Sequence, residues 1–127
     1  MIRLTTTTGS LQIVLGGAVT TNQLTAHASY YDLTAQTRAT FEEVRGAKAH
    51  KSSNSTTDVT LVDAPLTNGV VRMIDYISVN NADTVAAEVI IKIDDSAATP
   101  TEVILFRKSL AAKETVTWSK YNGWQVL

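Results

Sequence analysis

Apolar and polar residues alternate with a period of two along much of this chain, and that period belongs to strands. The clearest stretch is Val85 to Asp94. There Val85, Ala87, Val89, Ile91 and Ile93 alternate with Ala86, Glu88, Ile90, Lys92 and Asp94. Such a strand buries one face and turns the other to water, and only Ile90 breaks the polar side. Val71 to Asn80 repeats the pattern less cleanly. Met73, Ile77 and Val79 share one face with Asp75, while Ile74 and Tyr76 lie on the other. Asn80-Asn81-Ala82-Asp83 between the two stretches is a cluster of turn formers, whose side chains can satisfy nearby backbone groups. The two stretches therefore read as an antiparallel hairpin.

Three more strands are expected towards the carboxyl end. Glu102 to Lys108 follows Asp94-Asp95-Ser96 and Pro100, a residue that cannot donate to a ladder and so marks the approach. Thr115 to Lys120 places Val116 and Trp118 on one face. Tyr121-Asn122-Gly123 then turns the chain into Trp124 to Leu127. Asn-Gly is a strong signal for a tight hairpin, because both central positions of such a turn need positive φ.

The first half is less regular. Leu11, Ile13 and Leu15 alternate with Gln12 and Val14 up to Gly16-Gly17. Leu24 to Leu33 sets Ala26, Ala28 and Tyr30 against His27, Ser29 and Tyr31. Thr37 to Arg45 fits a strand or a short helix, and its threonines favour the strand. Lys51 to Thr57 reads as an exposed Ser/Asn/Thr loop, and Val59 to Asp63 as a further strand before Pro65 and Asn68-Gly69. About eight short strands separated by Gly, Pro, Asn and Ser clusters specify an all-β, antiparallel sandwich or barrel. At 127 residues, with no internal repeat and no linker, residues 1–127 form one domain. Residues 1–20 are its first strand or an N-terminal arm.

Composition narrows the function classes. There is no cysteine, hence neither a disulfide framework nor a thiolate metal site. Eleven basic and twelve acidic residues are scattered along the chain for a net charge of −1, which argues against a phosphate-binding surface. The apolar segment Leu11 to Val19 is too interrupted for a secretory signal. No run approaches the ~18 apolar residues of a membrane helix. Neither nucleic acid nor membrane is therefore an expected partner.

No residue set carries a catalytic or cofactor signature. His27 and His50 are far apart and lie in no HxH or HExxH pattern, so His27 is assigned to a strand face, His50 to a loop, and no metal is expected. Gly9-Ser10 lacks the GxSxG context of a serine nucleophile. The neighbours in Glu42-Glu43 and in Asp94-Asp95 point to opposite faces of a strand, which makes neither an acid/base couple. Asp94-Asp95-Ser96 lacks the spaced ligands of a calcium loop and reads as a turn. Gly16-Gly17 is not followed by GK[ST], so it is not a phosphate loop. Tyr30, Tyr31, Trp118, Tyr121 and Trp124 have no basic groove for stacking bases. Trp118 and Trp124 flank the last turn and are expected to pack across it, with a carbohydrate platform as the alternative.

Several segments resemble a known class. MIRLTTTTGSLQIVLGGAVTTNQL at Met1 to Leu24 is similar to the opening of small structural proteins of tailed-bacteriophage virions. IDYISVNNADT at Ile74 to Thr84, VIIKIDD at Val89 to Asp95, LAAKETVTW at Leu110 to Trp118 and GWQVL at Gly123 to Leu127 complete the likeness, which leaves Ala35 to Asn54 uncovered. The resemblance implies a β-sandwich, often a jelly roll, without catalytic residues or cofactor. It implies a capsid cement or decoration protein that binds the major capsid protein and itself as a homo-oligomer, located in virions assembled in the bacterial cytoplasm. A tail or fibre-base component is the first alternative and a host-surface sugar-binding sandwich the second. On this reading Ile2, Leu4, Leu11, Ile13 and Leu15 either add a strand to a neighbouring subunit or form the first strand of their own sandwich.

Overall fold

A computed structural model describes residues 1–36 and 40–127, with the backbone alone for 35–36 and 40–46. The described residues form ten strands and no helix. In chain order these are β1 (Arg3–Leu4), β2 (Gly9–Leu15), β3 (Thr25–Gln36), β4 (Thr40–Ser52), β5 (Val59–Val62), β6 (Val70–Asn80), β7 (Ala87–Asp95), β8 (Glu102–Leu110), β9 (Thr115–Ser119) and β10 (Gly123–Val126). They make two antiparallel sheets packed face to face, a β-sandwich as the alternation predicts. One sheet runs β10-β9-β6-β3-β4, with β1 pairing β6 on the β9 side, and the other runs β5-β2-β7-β8.

The core follows from the alternation. On β2, Leu11, Ile13 and Leu15 face Ile93, Ile91 and Val89 of β7, and the three β2 residues are fully buried with Val89 and Ile91. The facing layer contributes Ala26 and Ala28 from β3, Ile74, Ile77 and Val79 from β6, and Val116 and Trp118 from β9. The small side chains of β3 and the large ones of β6 in this sheet share one buried cluster with those of β2 from the other.

The expected hairpin between the two best-patterned strands does not form. β6 lies between β3 and β9 in one sheet, and β7 lies between β2 and β8 in the other. The connection crosses the sandwich, and its polar side chains act at long range. Asn81 is fully buried, and its Nδ2 donates to the carbonyls of Val85, Leu110 and Ala111. Fully buried Asp83 accepts from the backbone N–H groups of Thr20, Thr21, Asn22 and Thr84. These bonds satisfy groups that would otherwise be orphaned where the chain changes sheet.

The last hairpin forms as β9–β10, but with a wider turn. Ser119 pairs with Gly123, so Lys120, Tyr121 and Asn122 make a three-residue connection. Gly123 alone takes the positive φ, 67°, which a side chain would oppose. Trp118 and Trp124 face each other across the strands with ring centres 6.3 Å apart, the expected cross-strand pair. The segment Lys51 to Thr57 is only partly loop, because β4 continues to Ser52 and Asn54 bridges Thr57. Of Thr37 to Arg45, the first three residues lie outside the described set, and from Thr40 the backbone is a strand.

Candidate functional site

Ile2, Leu4, Leu11, Ile13 and Leu15 sit in the chain's own core, each under a tenth exposed. Leu4 is held where β1 pairs with β6, and Ile2 accepts a backbone bond from Ile74. Within this chain the segment forms two strands, β1 in one sheet and β2 in the other. As a contact surface it offers backbone and exposed threonines, since its apolar side chains are already covered.

The acidic residues at the end of β7 divide into two arrangements. Asp95 accepts from the hydroxyls of Thr6 and Thr8 and from the N–H of Ala97, and these bonds hold its carboxyl below the usual range. That is the turn-forming role the sequence assigns to it. Asp94 instead joins Asp58 and Glu102, with one carboxylate oxygen of each within 4.8 Å of the others. The buried Lys92 ammonium bonds Glu102 at 2.6 Å and Asp58 at 2.9 Å. Burial favours the neutral amine, but the two carboxylates outweigh it and raise the pKa. A protein cation therefore already pairs with two of the three carboxylates.

The hairpin β3–β4 creates a site that spacing does not show. His27 and His50 are directly opposed on the outer face of the five-stranded run, with ring centres 4.3 Å apart and planes at 90°. His50 is on a strand and not on the expected loop. A shallow pocket of about 400 Å³ surrounds them. Ser29 and Lys48 line it one step along the same two strands, and Tyr76 lines it from β6. Both imidazoles are exposed, and the described lining holds no carboxylate.

The other aromatics split by environment. Trp118 is buried, and Trp124 stacks on Phe106 of β8 with centres 4.3 Å apart. The tyrosines lie outside the core or at its margin. Lys120 Nζ sits between the rings of Tyr31 and Tyr121, 5.5 and 5.3 Å from their centres. Exposed apolar side chains occur on the edge strand β8, at Val103 and Ile104, and on loops at Leu66 and Val85. The side chains of Glu42-Glu43 lie outside the described set.

No protein-family profile matches the chain, and neither a curated protein nor a solved structure matches it.

Proposed function

We propose that the chain is a non-enzymatic structural protein of a tailed-phage virion, a capsid cement or decoration protein bound to the major capsid protein lattice. The observation that carries this reading is where the virion-like segments fall. Met1 to Leu24 supplies β1 and β2, Ile74 to Asp95 contains most of β6 and β7, and Leu110 to Leu127 contains β9 and β10. Strands from these segments lie in both sheets. The uncovered stretch, Ala35 to Asn54, contains the end of β3 and all of β4.

Such a protein stabilises by binding the assembled state and not its parts. Each small contact then acts many times over a symmetric lattice. Exposed Val103 and Ile104 on β8 provide apolar area for such a contact. The test is quantitative mass spectrometry of virions purified from the phage that encodes the chain. A ratio to the major capsid protein near one, or a simple fraction of one, is the expected result. A few copies per hundred would move the protein to the tail, and absence from washed particles would reject the virion reading.

A further inference from the structure

We propose that His27 and His50 form a two-imidazole chelate for a divalent transition metal ion of the nickel, copper or zinc type. Imidazole nitrogen suits these ions, and the sequence spacing of the two residues hides the site because the hairpin alone brings them together.

The separation of the rings fits. With a metal–nitrogen bond of about 2.0–2.1 Å and a roughly 90–110° angle at the ion, two chelating imidazoles have centres ~4.5–5 Å apart. The observed 4.3 Å lies just below that range, and the edge-to-face contact does not aim both rings at a common point. Rotation about the terminal torsion of each histidine brings a nitrogen of each ring to the ion, and that torsion is broad and soft. The backbone need not move, because directly opposed residues on antiparallel strands project their side chains from the same face.

The surroundings permit an ion. Both rings are exposed, so their nitrogens are reached without unfolding, and the open pocket leaves the remaining coordination positions to water. Lys48 is the one lysine or arginine in the described lining, and it is exposed on a flexible stem that can turn to solvent. The carboxylates of Asp58, Asp94 and Glu102 do not line this pocket, and Asp58 and Glu102 already pair with Lys92. Bound metal would fasten edge strand β4 to β3. The proposal is independent of the virion reading.

The test uses the full chain without an affinity tag, titrated with Ni(II) by calorimetry and with Cu(II) by electron paramagnetic resonance. One ion per chain, with hyperfine splitting from two imidazole nitrogens, is expected. His27→Gln and His50→Gln should each weaken binding by at least about ten-fold, since even outer partners of metal ligands cost 10–100-fold. Far-UV circular dichroism and the metal-free thermal midpoint should stay unchanged, because both side chains are exposed. If either glutamine variant fails to fold, the asparagine variant replaces it. Absence of saturable binding overturns the proposal, as does binding that survives both substitutions. It is also overturned if inorganic phosphate binds in place of metal and Lys48→Gln abolishes that binding, which would make the pocket an anion site.

Discussion

Trp124 stacks on Phe106 with ring centres 4.3 Å apart and planes 23° from parallel, which joins the edge of one sheet to the edge of the other. β10 and β8 share no backbone ladder, so side-chain contact closes the sandwich along this side. Trp124 also faces Trp118 across the β9–β10 hairpin and couples the closure to the core. Trp124→Ala should cost about 2–3 kcal/mol, below the ~3–5 kcal/mol of a fully buried aromatic because Trp124 is half-buried. Trp124→Phe should recover much of that loss. Urea denaturation followed by the fluorescence of Trp118 measures both.

Asp83 gives the fold an acid limit. The backbone N–H of Thr20 stabilises its carboxylate most, burial opposes this, and the N–H groups of Thr84, Asn22 and Thr21 add to the stabilisation, bringing its pKa down to about 2. An unfolded aspartate titrates near 3.9. The unfolded chain therefore binds the proton first as pH falls, so this stabilisation is complete above about pH 4 and disappears through about pH 2. Asp95, lowered by Thr8, Thr6 and Ala97, acts in the same direction. Asp83→Asn should be less stable at pH 7 and show a flatter decline across the acid range. Thermal midpoints at half-unit pH steps from 7 to 2 test this, and parallel curves for the two proteins would refute it.

Much of the architecture is legible in the sequence because alternation reports burial directly. Leu11, Ile13 and Leu15, or Val89 and Ile91, alternate as strands of a two-layer core must. The partner of a strand is harder to read. Asn80 to Asp83 has the composition of a hairpin turn, and the same residue types serve a crossover when their side chains cap distant backbone groups. Nothing local separates the two cases, because the donors at Thr20 to Asn22 lie in another part of the chain. The histidine pair was hidden for a related reason. Its register depends on where a long hairpin turns, and neither β3 nor β4 alternates sharply enough to fix that point. Lys92 falls on the polar side of a strand, and its ion-pair partners Asp58 and Glu102 lie on other elements.

Lys92 pairs with Asp58 and Glu102, whose carboxylate oxygens lie within 4.8 Å of each other and of one from Asp94. Removing it should destabilise the chain and expose the acidic cluster. Lys92→Ala should cost about 1–2 kcal/mol, less than the ~3–5 kcal/mol of a fully buried pair because both partners are substantially exposed. Lys92→Ala should also gain stability from added Ca(II) where the parent does not, since three oxygens within 4.8 Å then lack a counter-ion. Melting curves with and without millimolar Ca(II) decide the point, and equal calcium response in both proteins would show that the lysine is not the resident cation.

Gly16 and Gly17 are adjacent but not equivalent. A Cβ on Gly16 would lie 2.7 Å from Glu88 Oε1 and 3.0 Å from Glu88 Cβ, where Gly16 N–H also bonds the Glu88 carbonyl at 2.9 Å. The carboxylate can swing away, but the Cβ is fixed to the strand. A Cβ on Gly17 meets nothing within 4 Å. Gly16→Ala should therefore destabilise by about 1 kcal/mol, at the low end of overpacking costs. Gly17→Ala should stay within ~0.5 kcal/mol of the parent. Chemical denaturation of the two variants side by side is the check.

The pairing of β2 with β7 sets a timetable for synthesis. Leu11 meets Ile93, and Leu15 meets Val89, so an early strand has its inner-sheet neighbour in the second half of the chain. A ribosome adds about 5–20 residues per second, which leaves the apolar side of β2 uncovered for seconds before β7 emerges. Its other neighbour, β5, is four residues long and offers little cover in the interval. The nascent chain therefore passes through a period in which Leu11, Ile13 and Leu15 are open to chaperones and to other nascent copies, and folding is completed only after most of the chain has left the exit tunnel.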